Sequence, residues 1–249
     1  MTFRCSEDII VKAIANQNDY TEYTTLLFLE TKSGIPSPKP YGLVNVNNVT
    51  LTFMSYLPST TLNEVWTSLN SAQNTYISDR LDTMLLELRS IPYSEGTPSG
   101  GVGGEGCKDI RRHLRHSSTL IMTRSQFDDF LSNRSTPNGD VFRERLRRLS
   151  PSTDDSGTSD LAPRGVFTHG NLAPDNIVVE ATDSGYAITG LLDWEYSGFY
   201  PEWYESVRCT YYLSPYSNDD WFLYLPDCVS PKRYSHWWLL DSARERLEL

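Results

Sequence analysis

The chain has 249 residues, of which 39% are hydrophobic, 12% aromatic and 22% charged, enough to bury a sizeable core as one large domain or two lobes. Its net charge of -10 sets up a surface field that repels phosphate backbones and anionic membranes, which argues against nucleic-acid and membrane partners. No stretch approaches the roughly 18 uninterrupted apolar residues of a membrane span, and the start carries no basic flank followed by an apolar run, so a soluble, cytoplasmic protein is expected.

In chain order, "IIVKAI" (Ile9–Ile14) is a short apolar run broken by one lysine, as in a strand. "EYTTLLFLETK" (22–32) has mixed helical spacing and is ended by "SGIPSPKPYG", with Gly34 and three prolines. "LVNV" and "VTLTFMSYL" flank Asn47 and Asn48 and predict a hairpin. Residues 1–57 therefore read as a small mixed lobe.

Beyond it, residues 58–249 turn largely helical. Ser59 or Thr60 is placed to cap "LNEVWTSL", and "AQNTYISDRLDTMLLELRSI" repeats apolar residues at Ile77, Leu81, Met84, Leu85 and Leu88, predicting one long helix. The Gly-rich "SEGTPSGGVGGEGCKD" does not follow a strand and open a helix, so it is read as a loop rather than a phosphate cradle. In "KDIRRHLRH", His113 and His116 stand at i, i+3, but no Cys or carboxylate completes a metal set, and a basic, solvated helix is expected. "SQFDDFLSN" and "GDVFRERLRRLS" predict two further helices, and "SPSTDDSGTSDLAPRG" a surface loop. The four cysteines, at 5, 107, 209 and 228, are scattered with no CxxC pair, which favours free thiols.

The chemistry gathers near the end. "GVFTHG" reads as a strand entering a turn, "NIVVE" as a strand leaving it, and "YAITGLLDWE" as a strand ending on acids, so His169, Asn171, Asn176, Asp193 and Glu195 are expected to meet at one cleft. Phosphoryl transfer from a nucleotide needs a lysine on the phosphates, oxygen ligands for Mg²⁺ and a carboxylate on the attacking hydroxyl. Asn176 and Asp193 supply hard oxygen donors of the type Mg²⁺ prefers, and Lys12 followed by Glu22 has the order of the lysine-glutamate pair that fixes the phosphate contact.

From about residue 9 to about residue 209 the chain resembles the aminoglycoside phosphotransferase and choline kinase-like family, more narrowly its fungal members. The likeness rests on "VKAI", "EYTTLLFL", "SGIPSPKPYG", "FMSYLPSTTLNEVW", "LLELRSIP", "FTHGNLAPDNIVV" and "ITGLLDWEYSGFYPEWYE", in that order. The resemblance implies an α+β, two-lobed protein-kinase-like fold, with a small β-rich N-terminal lobe and a larger, mainly helical C-terminal lobe. It also implies ATP in the cleft, Lys12 and Glu22 as its cofactor-binding residues, and Asn176 and Asp193 on magnesium. His169, Asn171, Asp193 and Glu195 are the candidate catalytic residues.

Three features depart from the family pattern. Where the family motif has HGD, this chain has HGN, and Asn171 has no carboxylate to accept a hydroxyl proton, so roughly 10²–10⁴-fold of general-base catalysis is expected to be missing. None of the eleven residues before Lys12 is glycine, so no Gly-rich loop is expected over the phosphates. Asp175 puts a carboxylate where the fungal motif commonly has a basic or small residue; as a substitute base it is displaced four residues from position 171. Asn171 has three readings: a natural loss of kinase chemistry, an engineered inactivation, or a chemistry that persists through positioning and metal alone.

Three functions follow. The first is a repurposed fold that binds a small organic molecule or transforms it as a non-phosphorylating biosynthetic enzyme, with Asp193, Glu195 or His169 doing acid-base work. The second is an ATP- and Mg-dependent small-molecule O-phosphotransferase, and the third a pseudokinase that binds a protein partner, for which no charge run or apolar stripe marks a surface. The aromatics of "WEYSGFYPEWYE", "DDWFLYLPDC" and "YSHWWLL" are expected mostly to pack the helical lobe, leaving some to line a pocket.

Overall fold

The computed structural model describes residues 1–15, 19–58, 60–94, 96–110, 115–132, 141, 144–145, 148–149, 165–183, 185–211 and 220–247. The N-terminal lobe is a four-stranded antiparallel sheet in the order β1-β2-β4-β3, built from β1 (Thr2–Arg4), β2 (Ile9–Ile14), β3 (Pro40–Val46) and β4 (Val49–Ser55). Asn47 turns the β3-β4 hairpin with φ 54°, a left-handed conformation that asparagine tolerates better than most residues. Helix α1 (Thr21–Lys32) lies between β2 and β3 in the chain and buries Glu22, Thr25, Leu26 and Leu29 at one-turn spacing.

The second lobe starts with β5 (Thr60–Thr61) and α2 (Leu62–Trp66). The cap of α2 falls one residue later than expected, on Thr61, because Glu64 at the third helical position closes a capping box with it. Helix α3 (Ser71–Ser90) begins with a second capping box, Asn70 with Gln73, and buries the five expected apolar positions from Ile77 to Leu88. These side chains join Leu26 and Leu29 of α1, Met54 of β4 and Phe167, Ile177 and Leu191 in one core that runs through both lobes.

The remainder comprises β6 (Lys108–Asp109), β7 (Arg115–His116), α4 (Arg124–Leu131), β8 (Gly165–Thr168), β9 (Ile177–Thr182), β10 (Gly185–Leu191), β11 (Gly198–Pro201), α5 (Tyr204–Cys209) and α6 (Ser235–Leu247). Two sequence expectations change here. The ends of "KDIRRHLRH" are not helical: Lys108 pairs with His116 and Asp109 with Arg115 in an antiparallel ladder, and His113 lies outside the described residues. Strand β8 does not hairpin with β9; it pairs with β11, whereas β9 pairs with β10 and β5. The helix expected over 139–150 falls largely, and the loop over 150–165 almost wholly, outside the described residues.

Residues 96–107 of the Gly-rich segment form a loop, as expected, packed as a strap that runs into β6. Gly100 pairs with Phe199 of β11, and an added Cβ at Gly198 would stand 2.1 Å from the Gly100 carbonyl oxygen. With φ 115° and 152°, the two glycines permit a backbone approach that a side chain would block. Among the described residues no helix is long and apolar enough to cross a membrane.

Candidate functional site

Five of the expected residues do converge, through two loops held side by side. The turn after β8 carries His169 and Asn171, and the turn after β10 carries Asp193 and Glu195. Leu192 staples them: its N–H donates to the Asn176 carbonyl at 2.8 Å, and its own carbonyl accepts from His169 Nε2 at 2.9 Å. His169 is fully buried beneath the Trp194 ring, and its Nδ1 accepts the Asn171 N–H at 3.2 Å. Both ring nitrogens are thus engaged in the neutral tautomer. Burial is the main force that pushes its pKa down, to about 4.

Asp193 adopts the left-handed conformation, φ 65° and ψ 63°, which costs a residue with a side chain about 1 kcal/mol or more. Its carboxylate bridges two donors: Lys12 Nζ donates to Oδ1 and Asn171 Nδ2 donates to Oδ2. Asn176 Nδ2 donates to the Asn171 carbonyl at 2.7 Å, which leaves its amide oxygen as the metal-type donor.

Lys12, from the middle of β2, is the cationic centre. Besides Asp193, its ammonium lies 3.1 Å from Glu22 Oε2 on α1 and 2.9 Å from Glu195 Oε2. Burial alone would lower the Lys12 pKa, but the three carboxylates outweigh it and hold it above the ordinary lysine range. One ammonium cannot neutralise three acids. Glu22, the most deeply buried, is pushed up to about 7, chiefly by desolvation, against the downward pull of Lys12.

Glu22, Asp193 and Glu195 bring one oxygen each within 4.8 Å of one another, a hard donor set that suits Mg²⁺ in chemistry. The lysine now pairs with all three, so a cation on Asp193 requires Lys12 to turn away from it. Asp175 stands apart: exposed on the short turn 174–176, it accepts from Asn63 Nδ2 at 2.9 Å.

Buried charges that the sequence reading passed over brace the two loops. Glu205 on α5 accepts the N–H groups of His169 (2.6 Å) and Gly170 (3.1 Å), and Arg208 Nε donates to the Gly170 carbonyl at 3.3 Å. Burial raises the Glu205 pKa, and those N–H groups pull it back. Lys108 is 2% exposed and pairs with Asp19 just before α1. No local pattern marks them, because a charge inside "WYESVRC" or "GCKD" looks like any surface charge until the fold buries it. Trp194, Tyr196, Phe199, Tyr200, Trp203 and Tyr204 are all buried as core.

No curated protein matches the sequence. Among solved structures, the chain is similar to aminoglycoside-3'-phosphotransferase of type VIII, at 16% identity over 96% of this chain and 83% of that one, with a TM-score of 0.54. Similar too are aminoglycoside phosphotransferase APH(4)-Ia (12%, 100% and 83%, TM-score 0.58) and an aminoglycoside 2'-phosphotransferase-IIIa mutant in complex with GDP (14%, 97% and 77%, TM-score 0.60). At these identities they establish the two-lobed kinase-like fold. The family itself is established by sequence: residues 20–223 match APH, the phosphotransferase enzyme family, and the chain belongs to it.

Proposed function

We propose that this family member has lost, or strongly weakened, ATP phosphotransfer and uses its cleft to bind or transform a small organic molecule. The observation that carries the reading is Asn171, whose side-chain amide donates to Asp193 at the position where transfer needs a carboxylate. An amide cannot take up the hydroxyl proton, which removes roughly 10²–10⁴-fold of rate. Asp175 does not replace it, being turned to Asn63 at the surface. His169, neutral and bonded through both nitrogens, is a positioning group, so any acid-base work falls to Asp193 and Glu195.

Lys12, steadied by Glu22, is read as the phosphate-binding group, and Asn176 with Asp193 as the Mg²⁺ ligands. The ion would neutralise phosphate charge when bound. Support for a nucleotide comes from similar structures: an APH(4)-Ia mutant was solved with ADP and hygromycin B. A second reading, an O-phosphotransferase working through positioning and metal alone, is favoured by the intact Lys12–Glu22 pair. The domain division, residues 1–57 and 58–249, is retained as part of this proposal.

Calorimetric titration of Mg-ATP into the native protein and Asn171→Asp, with turnover measured across a panel of hydroxyl and amine compounds, tests it. We expect both to bind and the Asp form to turn over at least about 10²-fold faster. Equal turnover by both would replace the first reading with the second.

A further inference from the structure

We propose that Lys108 is a positioning residue for the Lys12 cluster: its ammonium ties the start of α1 to the loop carrying Asp193 and Glu195, and so sets the distance from Glu22 to those acids. Its own peptide is fixed first. The Lys108 N–H donates to Tyr200 Oη at 3.1 Å, and its carbonyl accepts from Tyr204 Oη at 3.2 Å, with the two tyrosine rings stacked 4.7 Å apart. From that anchor the side chain reaches inward and divides its donors between two elements. One goes to Asp19 Oδ1, which also accepts the Thr21 N–H at the head of α1; another goes to the Glu195 carbonyl at 2.8 Å.

Two further contacts link the same parts. Thr25 of α1 shares a hydroxyl hydrogen bond of 2.7 Å with Ser197, and Thr24 donates to Glu105 of the strap. The next residue, Asp109, accepts from Arg208 Nη1 at 2.9 Å, the arginine whose Nε holds the Gly170 carbonyl. Residues 108 and 109 therefore touch Asp19 just before α1, the acid loop and, through Arg208, the loop bearing Asn171. Burying an ammonium is costly, and a buried ion pair often adds little net stability over an apolar pair. What such a pair does well is fix a register, and here the register is that of the helix carrying Glu22.

The functional consequence rests on the reading of Lys12 as the phosphate-binding lysine, so the experiment separates the two. The 249-residue protein is acylated with the N-hydroxysuccinimide ester of acetic acid, and modification of Lys12 is quantified by peptide mass spectrometry. Asp19→Asn keeps the shape and an acceptor oxygen; Lys108→Met/Asp19→Leu removes the ion pair without leaving a lone buried charge. Arg244→Met/Asp128→Leu, which removes a buried pair between α6 and α4, is the control for general loosening.

We expect Lys12 to be acylated about tenfold faster in the double variant, severalfold faster in Asp19→Asn and at the native rate in the control, as one strong local coupling would give. Unchanged Lys12 reactivity in the two variants, or an equal rise in the control, would overturn the proposal. If the double variant does not fold, Asp19→Asn decides alone. Mg-ATP titration of the unaltered protein judges the other reading: absence of binding sinks the nucleotide assignment and leaves the acylation result standing.

Discussion

At residue 22 a carboxyl is buried against an ammonium that also serves Asp193 and Glu195. Raised from 4.5 to about 7, Glu22 binds more protons in the folded than in the unfolded protein between those values. Its stabilising contribution is complete below the unfolded pKa and is lost as pH rises through the folded one. His169, lowered from 6.5 to about 4, works in the opposite sense, and its contribution is lost as pH falls through that range. Glu22→Gln isolates the first effect. Measured by urea unfolding at pH 5 and pH 7.5, the native protein should lose stability relative to Glu22→Gln by on the order of 1–3 kcal/mol over that rise. A constant difference would mean that Glu22 stays ionised in both states, with Lys12 outweighing its burial.

At the scale of elements, the strap and β11 depend on two glycines. Gly198→Ala would drive a methyl to 2.1 Å from the Gly100 carbonyl oxygen at φ 152°, and a loss of about 2–5 kcal/mol is expected from thermal unfolding. An unchanged melting temperature would show that the strap is free to lift from the strand. Elements governed by local rules were legible in the sequence: β2, α1, the Asn47 hairpin and the five buried positions of α3 follow from periodicity, turn chemistry and caps. The convergence of His169, Asn171, Asn176, Asp193 and Glu195 was legible too, carried by motif order. What local pattern could not give was long-range pairing. Strand β8 could meet β9 or β11 with equal local plausibility, and "KDIRRHLRH" has helical composition while Lys108 is held by Tyr200 and Tyr204 far along the chain.

For the molecule as a whole, the core passes through both lobes, from Leu26 and Met54 to Leu81 and Leu191. A unit of about 60 residues alone is marginal, so the small lobe is expected to unfold with the large one. All six tryptophans, at 66, 194, 203, 221, 237 and 238, belong to the large lobe, so their fluorescence reports on that lobe. Denaturant curves from tryptophan fluorescence should coincide with curves from hydrogen exchange of β2 and β4; earlier exchange in the small lobe would mean separate stabilities. The strap adds a constraint on chain length. Gly100 is fastened to Phe199, and Lys108 to Tyr200 and Tyr204, while between them the Gly101 N–H donates to the Gly106 carbonyl at 2.9 Å, so the chain doubles back through the exposed Gly103 and Gly104. Insertions should therefore be accepted at Gly103 and Gly104, beyond that closing bond, and rejected at Gly106 and Cys107, where one residue more would withdraw the buried ammonium from its partners.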